Sequence, residues 1–325
     1  MAPFFSVLVT AYNREHELAR CLASCSGQSV ADLELVVVDD ASTDGTARVL
    51  AGLAEPRLRV VRHHTNQGIS AARASAVDAA SGEWLVVLDS DWALLPRALA
   101  RLRELIETLP DGVRIIRSRI EWDDGRIEPA VLPDGVTGYE GRLRWLEQTV
   151  CSGGGSDAAH CMHRRVLEGA NYFRDRRGAV EALWELDLAA RGERSLWVGD
   201  VLTRQYGDAA NSHTRELSAS RLVPRMRREA VDQAWMAETM LERHGPGLAR
   251  YAPHYRTWLL ESATLEVFLA GRRRAGVRHA RAAFRAGASP AKLAATVALG
   301  LLGPEPLARA KLAGRRFRAL RGGRA

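Results

Sequence analysis

Short apolar segments alternate with helical patterns over the first hundred residues. Apolar runs rich in strand-forming residues predict four buried strands, at Phe5–Thr10, Leu33–Val38, Leu58–Arg62 and Trp84–Leu88. Between them the spacing of apolar and small residues predicts three helices, at Glu15–Cys25, Thr46–Leu53 and Ser70–Ala80. Apolar strands separated by helices are typical of a parallel sheet that is covered on both faces. The pattern therefore predicts an α/β fold.

Polar and acidic residues follow each of the four predicted strands. The four segments read TAYNR, DDASTD, HHTNQG and DSDW. Because ligands bind beyond the carboxyl ends of parallel strands, we expect these segments to meet at one edge of the sheet. One polar loop alone is ordinary, since loops lie on the surface. Four convergent ones predict a binding site.

The pattern becomes helical from about Glu216 to the end of the chain. Gly-Pro and Ser-Pro pairs at Gly245, Ser289 and Gly303 predict breaks between successive helices. We therefore predict a helical C-terminal appendage. The predicted parts of the chain are residues 1–110, residues 111–215 and residues 216–325.

Charge is divided unevenly between these parts. The net charge of +7 combines −6 over residues 1–270 with +13 over residues 271–325, where 14 Lys and Arg accompany the single acid Glu305. Such a tail suits an anionic membrane surface or an acidic partner, and it is equally typical of a solvated helical surface. It carries no recognisable nucleic-acid-reading motif, so we expect no nucleic-acid partner. Peripheral membrane contact and a homodimer are hypotheses for this region.

The cysteines and the first residues of the chain indicate the cellular compartment in which we expect the protein. The four cysteines are too few for a disulfide scaffold, and none lies in a CxxC zinc pattern. We see no signal-peptide pattern and no apolar stretch near the length of a spanning helix. We therefore expect a cytoplasmic protein, with attachment at the inner face of the cell membrane as a further hypothesis.

Asp89 and Asp91 lie one residue apart at the end of the fourth predicted strand. Two carboxylates this close repel each other and lose hydration unless a cation lies beside them. Mg²⁺ or Mn²⁺ binds through one or two carboxylates together with substrate phosphates. Asp-x-Asp alone is a weak pattern, but its position after WLVVL strengthens it. The pair predicts a divalent ion and a phosphorylated ligand.

Several motifs in order give this part of the chain a specific resemblance. The segments VLVTAYNRE, ELVVVDDASTDGT and NQGISAARASAVDAASGEWLVVLDSD resemble the donor-binding half of family 2 inverting glycosyltransferases. The resemblance is collinear over about residues 4–110. It implies the GT-A fold, which is a Rossmann-like, mixed and mostly parallel sheet flanked by helices. It also implies a nucleoside diphosphate sugar as donor, with a UDP-sugar favoured, and Mg²⁺ or Mn²⁺ as cofactor.

The resemblance assigns roles to individual donor-site residues. Asp40 matches the position that binds the base, and Asp39 is expected to support the loop or the ribose. Asp91 matches the stronger metal ligand of the family's DxD motif, and Asp89 the ligand nearer the ribose. The other residues placed in the donor site are Thr10, Tyr12, Arg14, Gly68, Arg73 and Ser90.

Inverting transfer needs a carboxylate that takes the proton from the acceptor hydroxyl. Aligned with the family's catalytic helix, the segment RRGAVEALWELDLAARGE places Glu181 at this carboxylate and Val180 where an acid normally stands. A one-residue slip nominates Glu185 or Asp187 instead. Glu181 and Glu185 lie four residues apart on one helix face, and the alternative is that both are solvated helix charges.

Histidines in the second half have two different expected roles. His160 and His163, in CSGGGSDAAHCMHRR, are expected to be structural. The segment TRQYGDAANSHT lies where many relatives carry a loop that closes over the diphosphate, so His213 or Asp208 is a candidate metal ligand.

The sequence thus predicts a metal-dependent glycosyltransferase of the hexosyl or N-acetylhexosaminyl type. The expected acceptor is a hydroxyl of a glycan, a lipid-linked molecule or a small molecule. One alternative is a nucleotidyltransferase that makes a nucleotide sugar, although TAYNREHE lacks the Gly-rich phosphate loop of that class. A second alternative is a non-catalytic nucleotide-sugar-binding scaffold, suggested by the missing acid at Val180.

Overall fold

The computed structural model describes residues 2–152, 159–168, 174–207 and 219–322. The strands found in these residues are β1 (Phe5–Ala11), β2 (Leu33–Asp39), β3 (Leu58–Arg62), β4 (Trp84–Asp89), β5 (Trp92–Leu94), β6 (Val113–Trp122), β7 (Ile127–Glu128), β8 (Val136–Thr137), β9 (Ala159–His163) and β10 (Arg194–Gln205). The helices are α1 (Leu18–Ser26), α2 (Thr46–Ala51), α3 (Ile69–Ala79), α4 (Ala98–Glu107), α5 (Tyr139–Ser152), the short 3₁₀ helix η1 (Arg164–Leu167), α6 (Glu181–Ala190), α7 (Ala219–Tyr251), α8 (Pro253–Leu269), α9 (Arg273–Arg285), α10 (Pro290–Leu302) and α11 (Pro304–Gly322).

The described strands form one mixed sheet in the order β3-β2-β1-β4-β9-β6-β10-β5. Strands β1 to β4 are parallel to one another where they pair, and β9 runs antiparallel to both β4 and β6. Strand β10 is parallel to β6 and antiparallel to β5. The predicted mixed α/β sheet is confirmed, as are the four predicted strands and three predicted helices of the first hundred residues.

Alternate residues of the central strands fill two separate layers of core. Phe5, Val7 and Val9 of β1 pack with the buried faces of α1 and α4, whereas Leu8 packs with α3 and α6 on the opposite side. This alternation follows from the two-residue period of a strand. Because both faces of β1 are covered, its sequence is apolar except for Ser6 and Thr10.

The chain divides into two compact units. The first contains residues 1–177 and 184–215, and the second contains residues 178–183 and 216–325. The sequence had placed residues 178–183 in the predicted part 111–215. Within the second unit, Asp232 of α7 accepts a hydrogen bond from the Gly178 amide, and Gln233 donates one to the Ala179 carbonyl.

The helical C-terminal region is confirmed, but the break predicted at Gly245 is wrong. Helix α7 continues through Pro246 to Tyr251. Proline removes only one helical hydrogen bond, and Met240, His244 and Leu248 keep one buried stripe across this position. The breaks at Ser289 and Gly303 are confirmed, since they flank α10. Among the described residues, no helix combines the length and the apolar character that crossing a bilayer requires.

Candidate active site

Strand register brings the predicted donor-site residues to one edge of the sheet. Thr10 lies opposite Asp89 of β4, and Ala11 lies opposite Asp39 of β2. Tyr12 follows directly after β1 and is 44% exposed. These strand ends therefore present Thr10, Tyr12, Asp39 and Asp89 side by side, as the sequence predicts.

Asp89 and Asp91 stand in different electrostatic environments. Arg73 Nη2 donates to Asp89 Oδ1 at 2.9 Å, so Asp89 has a cationic partner. Asp91 makes no ion pair within the described part of the chain. Burial and the neighbouring Asp89 carboxylate raise its pKa to about 6, and the Arg14 charge opposes this rise only in part. The pair therefore holds more negative charge than the surrounding protein compensates.

This imbalance is what a divalent cation would correct. Carboxylate oxygens are ligands that Mg²⁺ and Mn²⁺ prefer, and a nearby cation favours the ionised form of Asp91. The chemistry of Asp89 and Asp91 thus fits a resident Mg²⁺ or Mn²⁺.

Arg14 and Ser90 form a unit beside the acidic pair. Arg14 Nε donates to Ser90 Oγ at 3.2 Å, and the Arg14 amide donates to Thr46 Oγ1 at 2.7 Å. The Arg14 Nη1 atom is buried and has no hydrogen-bond partner among the described residues. A guanidinium nitrogen in this state is available to an anionic ligand. Ser90 itself is buried and holds the guanidinium in place.

Asp40 is buried and fixes the loop that leads into α3. Its Oδ1 accepts hydrogen bonds from the Gln67 amide and from His63 Nδ1, and its Oδ2 accepts one from the Gly68 amide. Gly68 has φ of 94°, and a Cβ at this position would collide with the backbone of Arg177. Glycine is therefore required here by the backbone. Asp40 thus has the loop-supporting role that the sequence assigned to Asp39.

Asp39 has a carboxylate oxygen that the protein leaves without a hydrogen bond. Its Oδ1 accepts from the Ser42 amide at 2.9 Å, while the buried Oδ2 has only the Arg62 side chain 3.4 Å away. A cleft of about 350 Å³ opens at this point. The residues that line it are Ala41, Ser42, Thr43, Arg62, His63 and His64.

Glu185 lies in a buried cluster of charges, which makes it unsuitable as a base. Arg117 donates to its Oε1 at 2.8 Å and Arg142 to its Oε2. Burial alone would raise the pKa of Glu185, but the two guanidinium groups lower it to about 2. A carboxylate with this pKa does not take up a proton near neutral pH. These contacts argue against the alternative that nominated Glu185.

His160 belongs to the same cluster and is structural, as expected. Burial and the Arg117 charge lower its pKa to about 3, so its imidazole is neutral. Its Nδ1 accepts from Arg117 Nη1 at 2.9 Å, and its Nε2 lies 3.2 Å from Glu185 Oε1. His163 has a different structural task, because its side chain accepts from the Arg165 amide and caps η1.

The other two candidate bases lie on helix α6. Glu181 is the first residue of α6 and is half-buried, and Asp187 is half-buried in the middle of the helix. Burial and the Asp187 carboxylate together raise the pKa of Tyr139. The charge cluster at Glu185 anchors α6 to β6 and α5.

The predicted metal ligand His213 and its alternative Asp208 lie outside the described residues. The chain reaches that segment from Tyr206, whose amide donates to the Asp91 carbonyl at 3.2 Å. Arg20 lies over the Tyr206 ring, 3.6 Å from its centroid. Tyr206 is thus fixed beside Asp91.

Some residues at this site were not found from the sequence. Arg62 and His63 contact the two aspartates after β2, and Arg117 and Arg142 neutralise Glu185. The double histidine of HHTNQG was a visible signal for His63, since that segment follows a predicted strand. The two arginines had no comparable signal, because their partner is distant in sequence.

The fold and the site define an α/β protein whose parallel strands end at an acidic edge of the sheet. Residues 6–163 match the sequence model of the family described as Glycosyl transferase family 2. Residues 6–163, just under half of the chain, therefore form a glycosyl transferase family 2 domain. It is 33% identical over 124 residues to the succinoglycan biosynthesis protein ExoO of Rhizobium meliloti (strain 1021). That alignment covers 38% of this chain and 36% of the relative, so the chain spans only about a third of the relative's length.

Solved structures share the fold across most of the chain. The crystal structure of S. aureus TarS 1-349 in complex with UDP-GlcNAc has a TM-score of 0.57 and 18% identity, covering 88% of this chain and 93% of that one. The mannosyltransferase PcManGT from Pyrobaculum calidifontis, in complex with GDP-Man and Mn²⁺, has a TM-score of 0.55 and 21% identity, covering 94% and 82%. The fold is thus the GT-A fold that the sequence motifs imply.

Proposed function

We propose that the chain transfers a sugar, with inversion, from a nucleoside diphosphate sugar to a hydroxyl acceptor, with the help of Mg²⁺ or Mn²⁺. The observation that carries this proposal is the uncompensated acidic pair at the end of β4. Family membership supports sugar transfer, and the Mn²⁺ bound in the structurally similar mannosyltransferase supports the metal. No observation favours the nucleotidyltransferase or the non-catalytic scaffold.

In this proposal several residues around Asp89 and Asp91 together hold the diphosphate. Asp89 and Asp91 would hold the metal, which stabilises the charge of the diphosphate leaving group. Arg73 fixes the orientation of Asp89. Arg14, held by Ser90, directs its free Nη1 toward an anion. The two cationic side chains and the acidic pair thus form one phosphate site.

The cleft at Asp39 is the base subsite in this proposal. The free Oδ2 of Asp39 matches the single ring N–H of uracil. Guanine offers two N–H groups side by side and would need both carboxylate oxygens, but Oδ1 is already occupied by the Ser42 amide. We therefore favour a UDP-sugar as donor. UDP-GlcNAc in the structurally similar S. aureus TarS supports this choice.

Replacing Asp39 by Asn should weaken UDP binding by about 10–100-fold, because a hydrogen bond to a charged acceptor is lost. Isothermal titration calorimetry measures this change. Asp40→Asn is the matched comparison. It should lower the free energy of unfolding, because Asp40 accepts bonds from three groups within the fold. If Asp39→Asn leaves UDP affinity unchanged, the base is bound elsewhere.

Glu181 is the proposed base that takes the proton from the acceptor hydroxyl. The two arginine partners of Glu185 argue against it as the base, and Glu181 begins the helix that Glu185 anchors. For the acceptor we propose a hydroxyl of a glycan, since the relative ExoO is named as a succinoglycan biosynthesis protein.

Glu181→Gln should reduce sugar transfer by about 10²–10⁴-fold, which is the usual contribution of a positioned base. Slow hydrolysis of the donor should fall less, because it does not require deprotonation of a particular acceptor hydroxyl. Both rates can be followed as UDP release from UDP-sugars, with and without a panel of glycan acceptors. Asp187→Asn is the control and should retain most transfer. A larger loss in Asp187→Asn than in Glu181→Gln would move the base to Asp187.

A further inference from the structure

Helix α9 carries a row of arginines that the protein leaves without counter-charges. Arg274, Arg278, Arg281 and Arg285 are exposed and follow one another at intervals of four, three and four residues. This spacing places them in one stripe along the helix. Within the described part of the chain none of the four makes an ion pair. Arg272, outside the stripe, is by contrast paired with Glu238.

Helix α10 presents an exposed face that is entirely apolar. Leu301 and Leu302 are 49% and 72% exposed. The other residues of this face are Ala291, Ala294, Ala295 and Ala298, all exposed. The helix carries one charged side chain, Lys292, and Glu261 neutralises it. A surface helix normally places charged residues on its outer face, so this face indicates contact with an apolar phase.

Both helices bury their opposite faces against α8. Leu260 of α8, Ala280 and Ala283 of α9 and Leu293 of α10 form one buried cluster. Further along, Gly276 of α9 and Gly300 of α10 both lie so close to the Phe268 ring that neither has room for a Cβ.

Because α9 and α10 both pack on α8, their outer faces are turned away from it. The two faces adjoin at one end, where Arg274 and Arg278 of the stripe line a cleft with Pro304, which follows closely after Leu302. Phe284, which is 60% exposed, adds an aromatic ring to the α9 side. We call these residues together the α9–α10 surface.

A basic cleft lies at one end of the α9–α10 surface. It has a volume of about 600 Å³. Its lining residues are Gly271, Arg272, Arg273, Arg274, Arg278 and Pro304, with Ala275. The concentration of guanidinium groups suits a phosphate, and Pro304 places the cleft immediately after the exposed end of α10.

We propose that the α9–α10 surface binds the headgroup region of an anionic lipid bilayer. Such a bilayer offers phosphates to the arginine stripe and an acyl boundary to Phe284, Leu301 and Leu302. A 13-residue helix such as α10 is too short to span a bilayer, so it would lie in the interface. This inference does not depend on the proposed sugar transfer.

Co-sedimentation of the full chain with vesicles tests the proposal. Vesicles of phosphatidylglycerol and phosphatidylcholine should bind the protein, and vesicles of phosphatidylcholine alone should bind it at least about tenfold less. The variant Arg274→Gln/Arg278→Gln/Arg281→Gln should lose at least about tenfold in binding and much of its salt sensitivity. The variant Leu301→Ser/Leu302→Ser should lose a similar amount at every salt concentration.

Matched variants in the first unit test whether vesicle binding depends on the α9–α10 surface or on positive charge and exposed apolar residues in general. Arg48→Gln/Arg97→Gln/Arg165→Gln removes the same charge from exposed positions, and Ile127→Ser removes an exposed apolar residue. Both should bind vesicles as the unchanged protein does. Melting temperatures of all variants show whether the fold is intact.

Three outcomes would overturn the proposal. One is equal binding to anionic and neutral vesicles, and another is equal loss in the matched variants. The third is dimerisation in sedimentation equilibrium that Leu301→Ser/Leu302→Ser abolishes, without any vesicle binding. That result would make this face an interface between two copies. UDP binding, measured in parallel, reports on the first unit, so its failure is distinct from failure here.

Discussion

Replacing Glu185 by Gln is expected to lower the free energy of unfolding by about 3–5 kcal/mol at neutral pH. The change leaves Arg117 and Arg142 buried with no carboxylate between them. Desolvation of the remaining guanidinium charges is then uncompensated, and α6 loses its anchor to β6 and α5. Urea denaturation followed by circular dichroism measures the difference.

The pH dependence of this difference has a definite sign. The pKa of Glu185 is lowered from 4.5 to about 2 on folding. A lowered carboxyl pKa contributes stability that is present above pH 4.5 and is lost as the pH falls toward 2. The difference in the free energy of unfolding between the unchanged protein and Glu185→Gln should therefore become smaller as the pH falls from 4.5 toward 2.

Glu193→Gln is the matched control for Glu185→Gln. Glu193 also forms a two-point pair with an arginine of β6, but that partner, Arg114, is 42% exposed. A solvated pair of this kind contributes at most about 1 kcal/mol. Equal destabilisation by the two substitutions would show that burial of the Glu185 cluster has no special energetic role.

Replacing Asp91 by Asn is expected to stabilise the metal-free protein while it abolishes metal-dependent diphosphate binding. The pKa of Asp91 rises from 3.8 to about 6 on folding. A raised carboxyl pKa means that stability falls as the pH increases from about 4 to 6, because the unfolded chain ionises first. Above pH 6 the ionised Asp91 lowers the free energy of unfolding by about 3 kcal/mol, and replacing it by Asn removes this loss.

The measurement is chemical denaturation in EDTA at several pH values. Asp91→Asn should be more stable than the unchanged protein at pH 8, and the two should converge near pH 4. Asp124→Asn, which changes an exposed carboxylate of a turn, should show no such pH-dependent gain. If Asp91→Asn is destabilised at pH 8, the site does not carry an uncompensated charge.

The donor half was largely predictable from the sequence because its signals are local. Apolar runs defined β1 to β4, and parallel register then required Thr10, Asp39 and Asp89 to lie at one edge. The difference between Asp39 and Asp40 was not predictable in this way. It depends on whether His63, Gln67 and Gly68 fold back onto the second aspartate, and a pattern of adjacent acids does not contain that information.

The site residues in the second half of the chain were less predictable from the sequence than those of the donor half. The sequence favoured Glu181, but a one-residue slip in the alignment nominated Glu185 or Asp187 instead. Arg117 and Arg142, which are 68 and 43 residues away from Glu185, settle its role through long-range contacts. Helix α7 gives a further example, because its buried stripe continues through Pro246 where local rules predict a break.

The central claim is that Asp89 and Asp91 hold a divalent ion against a nucleoside diphosphate. Isothermal titration calorimetry with UDP tests it most directly, in Mn²⁺, in EDTA and in Asp91→Ala with Mn²⁺. We predict binding in Mn²⁺ and at least about a hundredfold weaker binding in the other two conditions. Equal UDP affinity with and without the metal, or in Asp91→Ala, would contradict the account.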